Sequence, residues 1–119
     1  MLRTALLSLA IASPLFAAGC SGKQLAATQI EDPGQRLFNG HVRESVACFE
    51  CHNGDARGYS VRGPDLAERV PELTDEEILE TIWTGPLLMP SYQDILSLEE
   101  ARSILAWLRK SFPGEGGAE

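Results

Sequence analysis

Basic residues are scarce. Lys and Arg number 10 against 17 Asp and Glu in a chain of 119, for a formal charge of −7. That shortage argues against nucleic acid as a partner, because phosphate binding needs a basic footprint. Aromatics are also few, at 7%. The core of so short a chain is marginal by itself, so something other than side chains is expected to help fill it. The longest apolar stretch, Ala5 to Ala18, is shorter than the about 20 residues of a membrane-crossing helix. No segment alternates as a strand does. No glycine-rich phosphate loop is present, and the carboxylates gather at helix starts instead of forming a catalytic pair. Cysteine, methionine and histidine are rare enough, at three, two and two, to be accounted for one by one.

The first of these rare residues ends a leader. Residues 1–19 carry one charge, Arg3, ahead of an apolar run that Ser8, Ser13 and Pro14 interrupt. This is the pattern of a secretory signal. It closes on Ala17-Ala18-Gly19-Cys20, which resembles a bacterial lipobox, with Cys20 lipidated as the new N-terminus. Ala17 stands where Leu is commonest. The alternative is an ordinary signal peptide cut after Ala18 or Gly19. Cleavage before Cys20 leaves 100 residues and, by removing Arg3, takes the formal charge from −7 to −8. Residues 20–31 read as a flexible tether, whose last eleven residues would reach about 36–40 Å when extended. The tail, 113–119, is rich in glycine and reads as disordered. The folding unit is 32–112.

Cys48-Phe49-Glu50-Cys51-His52 uses the other two thiols. C-x-x-C-H is the pattern for covalent attachment of a c-type haem. Thiols three residues apart add to two vinyl groups on one porphyrin edge, and the adjacent His supplies the proximal nitrogen. A thioredoxin-like site would need a βαβ setting. A zinc site would need four ligands, and no second cysteine pair exists.

Six-coordinate haem iron needs a distal partner, usually His or Met. Once the leader is removed, Met89 and His41 are the candidates. Met89 lies in Gly85-Pro86-Leu87-Leu88-Met89-Pro90, a proline-bounded segment after a helix, where a loop can bring a side chain over the haem. His41 sits seven residues before Cys48 and reads as a surface or capping residue.

Three blocks together resemble the small class I cytochromes c over nearly all of 32–112. They are Cys48-x-x-Cys51-His52, Gly63-Pro64-Asp65-Leu66 and Ile82-x-x-Gly85-x-x-x-Met89-Pro90. The resemblance implies that the Pro64 carbonyl accepts a hydrogen bond from the proximal His52. Such a bond fixes the tautomer and makes the ligating nitrogen more basic. It also implies one haem c, with His52 and Met89 on the iron. Only 37 residues separate these two, so the chain resembles a compact bacterial member without the long loop over a propionate.

The helix signals agree with an all-α, class I-like fold of three to five helices around one haem. Asp32-Pro33 caps a first helix ending near Asn39-Gly40. Gly34, one turn before Phe38, leaves room for a crossing helix. Thr74-x-x-Glu77 is a capping box for a helix that ends near Thr84-Gly85. Its acidic start, Asp75-Glu76-Glu77 with Glu80, reads as a solvated face or a docking patch for a basic partner. Ser97 caps the last helix, with Leu98, Ala101, Ile104, Leu105 and Leu108 as its buried stripe and Trp107 at the crossing. Leu66, Ile82, Trp83, Leu87, Leu88, Tyr92 and Ile95 are the haem-pocket candidates. Trp83, Tyr59, Arg57 and Arg62 are candidates for a propionate.

A His/Met-ligated iron has no open position and a raised potential. The expected role is therefore one-electron transfer and not catalysis. The carrier would be exported to the periplasmic side, tethered to a membrane through lipid, and exchange electrons with exported redox proteins, with Pro86, Leu87, Leu88 and Pro90 as an apolar rim. The alternatives are a haem subunit of an exported oxidoreductase and, as a third reading, a peroxidatic or ligand-binding haem protein.

Overall fold

The computed structural model describes residues 22–58 and 63–117. The leader (1–19), Cys20, Tyr59 and Arg62 lie outside them. Among the described residues there are five α-helices and no strand: α1 Pro33–Phe38, α2 Phe49–His52, α3 Leu66–Arg69, α4 Asp75–Thr84 and α5 Leu98–Ser111. None is long and apolar enough to cross a membrane.

The three helices whose starts the sequence marks, α1, α4 and α5, begin where it says. Asp32 Oδ1 accepts from the Gly34 and Gln35 amides at 2.8 and 3.3 Å, and Pro33 occupies the first position, where no donor is needed. Thr74 with Glu77 and Ser97 with Glu100 form reciprocal capping boxes on α4 and α5, satisfying donors that a helix start otherwise leaves orphaned. Gly85 closes α4 at φ +61°, the left-handed region that glycine enters without a Cβ penalty.

The frame is the crossing of α1 and α5. A Cβ on Gly34 would lie 2.0 Å from the Ser103 carbonyl oxygen and 3.0 Å from Trp107 Cβ, so the two backbones meet where only glycine fits. Phe38 and Trp107 then pack with their rings tilted, 5.0 Å between centroids. Both are buried, with Leu37, Ile78, Ile82, Ala101, Ile104, Leu105 and Leu108, and each fully buried aliphatic side chain is worth about 1.5–3 kcal/mol. Leu98 departs from the expected stripe. It is 48% exposed, because it opens the first turn of α5 beyond the edge of the core.

Arg109, late in α5, clamps the turn ahead of α4. It donates to the Val70 carbonyl at 2.6 Å and to the Leu73 carbonyl, and it pairs with Asp75 at 2.8 Å. The C-terminal residues expected to be disordered continue this contact as far as they are described. Glu115–Gly117 form a 3₁₀ turn, and Gly114 and Gly116 approach Pro71 and Leu73 closely enough to exclude a Cβ.

The larger correction concerns the expected tether. Residues 22–31 do not hang free; they run as a strap along the domain. The Gly22 amide donates to the Glu50 carbonyl at 2.9 Å. The Lys23 amide donates to Asn53 Oδ1, and the Lys23 carbonyl accepts from the Gly54 amide. Ile30 is buried, and Arg36 reaches the carbonyls of Ala27 and Ile30. The hub is Asn39, fully buried, whose side chain accepts from the Leu25 amide at 3.0 Å and donates to the Gln35 and Gly54 carbonyls. A buried amide with all its bonds made is stable, and one left unpaired is costly. The strap therefore completes the domain, because it supplies the donor for the buried Asn39 oxygen. Composition gave no hint of this, since the segment's apolar residues are not periodic.

Candidate haem site

The C-x-x-C-H motif folds as the single turn α2. The Cys51 and His52 amides both return to the Cys48 carbonyl, which sets both thiols and the imidazole on the same short turn. His52 is buried, and its ring lies 6.4 Å from that of Phe38. The α1–α5 crossing thus backs the imidazole through Phe38 and Trp107.

The His52 Nδ1 lies 3.0 Å from the Pro64 carbonyl oxygen. A carbonyl only accepts, so Nδ1 carries the proton and Nε2 keeps the lone pair. This is the contact the sequence led us to expect. Gly63, just before it, presses on the ring. A Cβ there would fall 2.6 Å from His52 Cε1 and 3.1 Å from Nδ1. Burial lowers the His52 pKa, and the Pro64 carbonyl offsets part of that shift. Burial favours the neutral imidazole, and the bond to Pro64 fixes its tautomer, with the proton on Nδ1 and the lone pair on Nε2.

A cleft of about 260 Å³ opens beside this turn. Two stretches of chain line it. Glu44, Ser45, Ala47, Cys48, Glu50, Cys51 and His52 come from one, and Met89, Pro90, Tyr92 and Ile95 from the other. The structure thereby brings together Cys48, Cys51, His52 and Met89, 41 residues apart at their extremes. Pro64 stands behind the imidazole. His41 does not line the cleft. Its Nε2 donates to the Leu25 carbonyl of the strap at 2.7 Å, so it tethers the strap.

Two thiols, an imidazole with a free-facing lone pair and a thioether in one partly apolar cleft fit a c-type haem. The apolar surroundings show in the Cys48 thiol. Burial pushes its pKa up to about 12, although a hydrogen bond with the Tyr92 hydroxyl opposes the rise. Burial raises the Tyr92 phenol as well, helped by the nearby Cys48 and Cys51.

Met89 is placed by a short turn. Its amide donates to the Pro86 carbonyl at 3.1 Å. The segment then folds back on the end of α4: Ser91 Oγ donates to the Trp83 carbonyl at 2.6 Å, and the Tyr92 amide to the Ile82 carbonyl at 3.1 Å. Arg43 pairs with Glu100 through both terminal guanidinium nitrogens and donates to the carbonyl of Ile95, a cleft residue, at 2.9 Å. It braces the stretch that precedes α2 against the one that carries Met89.

Several expected pocket residues lie elsewhere. Tyr92 and Ile95 line the cleft. Ile82 is buried in the core and Leu66 and Trp83 pack against it, and none of the three lines the cleft. Leu87 and Leu88 point outward, with Leu87 wholly exposed at φ +55°. Arg57 lies over the Phe112 ring at 4.9 Å, away from the cleft. The sequence reading missed Glu44, Ser45, Ala47 and Glu50. Ala47 and Glu50 adjoin or lie within the motif and were legible by position, whereas Glu44 and Ser45 carry no pattern.

The family model described as cytochrome c oxidase, cbb3-type, subunit III matches residues 31–108. Among curated proteins, the chain is 33% identical over 73 residues to the cytochrome bc1 complex cytochrome c subunits of Corynebacterium diphtheriae and Corynebacterium efficiens. Those alignments cover 59% of this chain and 26% and 25% of the two relatives, so the chain spans about a quarter of their length. No solved structure matches it. The family match runs from just before α1 well into α5 and takes in both sides of the cleft. The chain therefore belongs to the cytochrome c oxidase cbb3-type subunit III family, with a class I cytochrome c fold and a covalent haem c as the cofactor that the family implies for its C-x-x-C-H.

Proposed function

We propose that the chain is a one-electron carrier that binds one haem c through Cys48 and Cys51, with His52 and Met89 as axial ligands. It works on the exported side of a membrane, held there by lipid on Cys20, and exchanges electrons with redox proteins of a membrane respiratory complex. The observation that carries this reading is the cleft that gathers both thiols, the imidazole and Met89. Bound there, the haem supplies a one-electron couple. The residues do the rest. Pro64 holds the Nδ1 proton, which leaves the Nε2 lone pair as the one that would hold the iron. Gly63 and Phe38 fix the ring's tilt. Met89 fills the position where a substrate or oxygen would bind, and a thioether raises the potential. An iron closed on both faces changes charge without taking part in bond chemistry, so the chain itself is not an enzyme.

The test is Met89→Ala. Haem should stay attached, the weak red charge-transfer band of the oxidised protein should vanish, the potential should fall and the reduced form should bind carbon monoxide. If His41→Ala produces these changes and Met89→Ala does not, the ligand assignment is wrong. Strong peroxidase turnover by the unaltered protein would replace the carrier with a haem enzyme.

The names of the relatives favour a second reading, in which the domain is a fixed subunit of such a complex. Extraction in mild detergent separates the two. A subunit comigrates with the complex, whereas a carrier is recovered alone.

A further inference from the structure

The strap and the cleft share a residue. Glu50 lines the cleft, and its carbonyl accepts the Gly22 amide at 2.9 Å. Gly22 thus lies at the rim of the haem site. Cys20 precedes Gly22 by only two residues, a covalent reach of about 7 Å. A free tether over the same stretch would have let the domain swing through about 36–40 Å.

We infer that residues 22–31 are a docking strap that holds the rim of the haem cleft at the membrane surface, so that the electron partner is a redox protein embedded in that same membrane. The inference rests on the lipidated Cys20 proposed above. Two observations independent of the lipid support the strap. Its bonds are distributed along its length, at Gly22, Lys23, Leu25, Ala27 and Ile30, so no single opening frees it. Its partners include the buried Asn39 side chain and the imidazole of His41, so undocking would break bonds at both. A soluble partner arriving from bulk would gain nothing from this arrangement. A partner in the plane of the bilayer meets a cleft already at its own height, and the search becomes lateral. The acidic rim, Glu44 and Glu50, keeps the cleft from lying flat on anionic lipid and suits a partner with a basic docking face.

The test uses the complete, haem-loaded chain on phosphatidylcholine vesicles that carry a fluorophore on a fraction of the headgroups, with quenching by the haem as the ruler. Ten Gly-Ser residues are inserted at one of two places. Such a linker adds about 16–19 Å of mean reach. Placed outside the strap, between Ser21 and Gly22, it should lower quenching severalfold. Placed inside, between Glu31 and Asp32, it should leave quenching unchanged, because the strap stays docked beside α2. Equal losses from both insertions would show a free tether and overturn the strap while leaving the anchor intact. Failure of the unaltered chain to partition onto vesicles would overturn the anchor, and the membrane placement with it. Amide exchange gives an arm that needs no lipid. The Leu25 and Gly54 amides, bonded across the strap, should exchange at least tenfold more slowly than an unprotected amide. Free exchange at both would refute docking directly.

Discussion

The two sides of the cleft are built differently. The His52 side is over-determined: a turn of helix sets the ring, Pro64 holds one nitrogen, Gly63 fits against its edge, and Phe38 connects it to the α1–α5 crossing. The Met89 side is a loop with one turn bond at the residue itself. It carries two outward-facing leucines and is secured farther along at Ser91 and Tyr92. The lesson is a division of labour. Protein contacts hold the imidazole from several sides, whereas the thioether sits on a segment with fewer of them. Substitutions on the first side should damage the whole domain, and those on the second mainly the iron.

The largest effect should come from the thiols. Replacing both Cys48 and Cys51 by Ser removes the covalent bonds while leaving His52 in place. Acid-acetone extraction should then strip all haem from the variant and none from the unaltered protein. The domain's stability should fall as well, because its small core loses a bound ligand. Haem that washes out of the unaltered protein would refute covalent attachment.

Next in size is Gly63→Ala, the sharpest probe of the contrast between the sides. The new Cβ meets the imidazole at 2.6 Å, and the backbone behind it is tied to Pro64, so the ring has to tilt. Overpacking of this kind costs about 1–3 kcal/mol, read as a lower denaturant midpoint. Leu87→Ala changes a side chain that touches only solvent and should leave that midpoint unchanged. Equal losses from the two would erase the distinction between a packed side and a loop side.

What was legible in the sequence follows the same line. The caps at Asp32, Thr74 and Ser97 and the crossing at Gly34 were readable because each depends on a residue type at a short, fixed spacing, and the pairing of His52 with Pro64 was expected from the family resemblance of its block. The leucines at 87 and 88 were misjudged because nearness in sequence to Met89 says nothing of direction, and a positive φ at Leu87 turns the loop outward. The strap was misread because its stability lies in its partners. Gln24, Leu25 and Ala27 have no periodic pattern, and Asn39 and His41, 14 and 16 residues from Leu25, do not look like a receptor until the chain is folded. Arg43 with Glu100, 57 residues apart, was beyond any local signal.

That brace supports the smallest prediction and joins the two sides directly. The Arg43 guanidinium, and then the Ser97 amide, hold the Glu100 carboxyl down to about 2, against 4.5 for the ordinary group. A carboxyl whose folded pKa lies below its unfolded one stabilises the protein above the unfolded value, and loses that contribution as pH falls through the folded one. The brace should therefore be fully effective at pH 7, weaken from about 4.5 downward and be absent near 2. Glu100→Gln keeps an oxygen for the Ser97 amide but removes the charge. Its denaturant midpoint should lie slightly below that of the unaltered protein at pH 7, and the two should converge as pH approaches 2. The gap is small because both partners are partly exposed, at 42% and 22% of their side chains, and solvent screens such pairs. Salt should narrow it further at pH 7. Because Arg43 also holds the Ile95 carbonyl, the same variant should, if Met89 is the distal ligand as proposed, let exogenous imidazole displace it from the oxidised protein more readily at pH 7. A pH-independent gap, or unchanged imidazole binding, would mean that the two sides of the cleft are held without this ion pair.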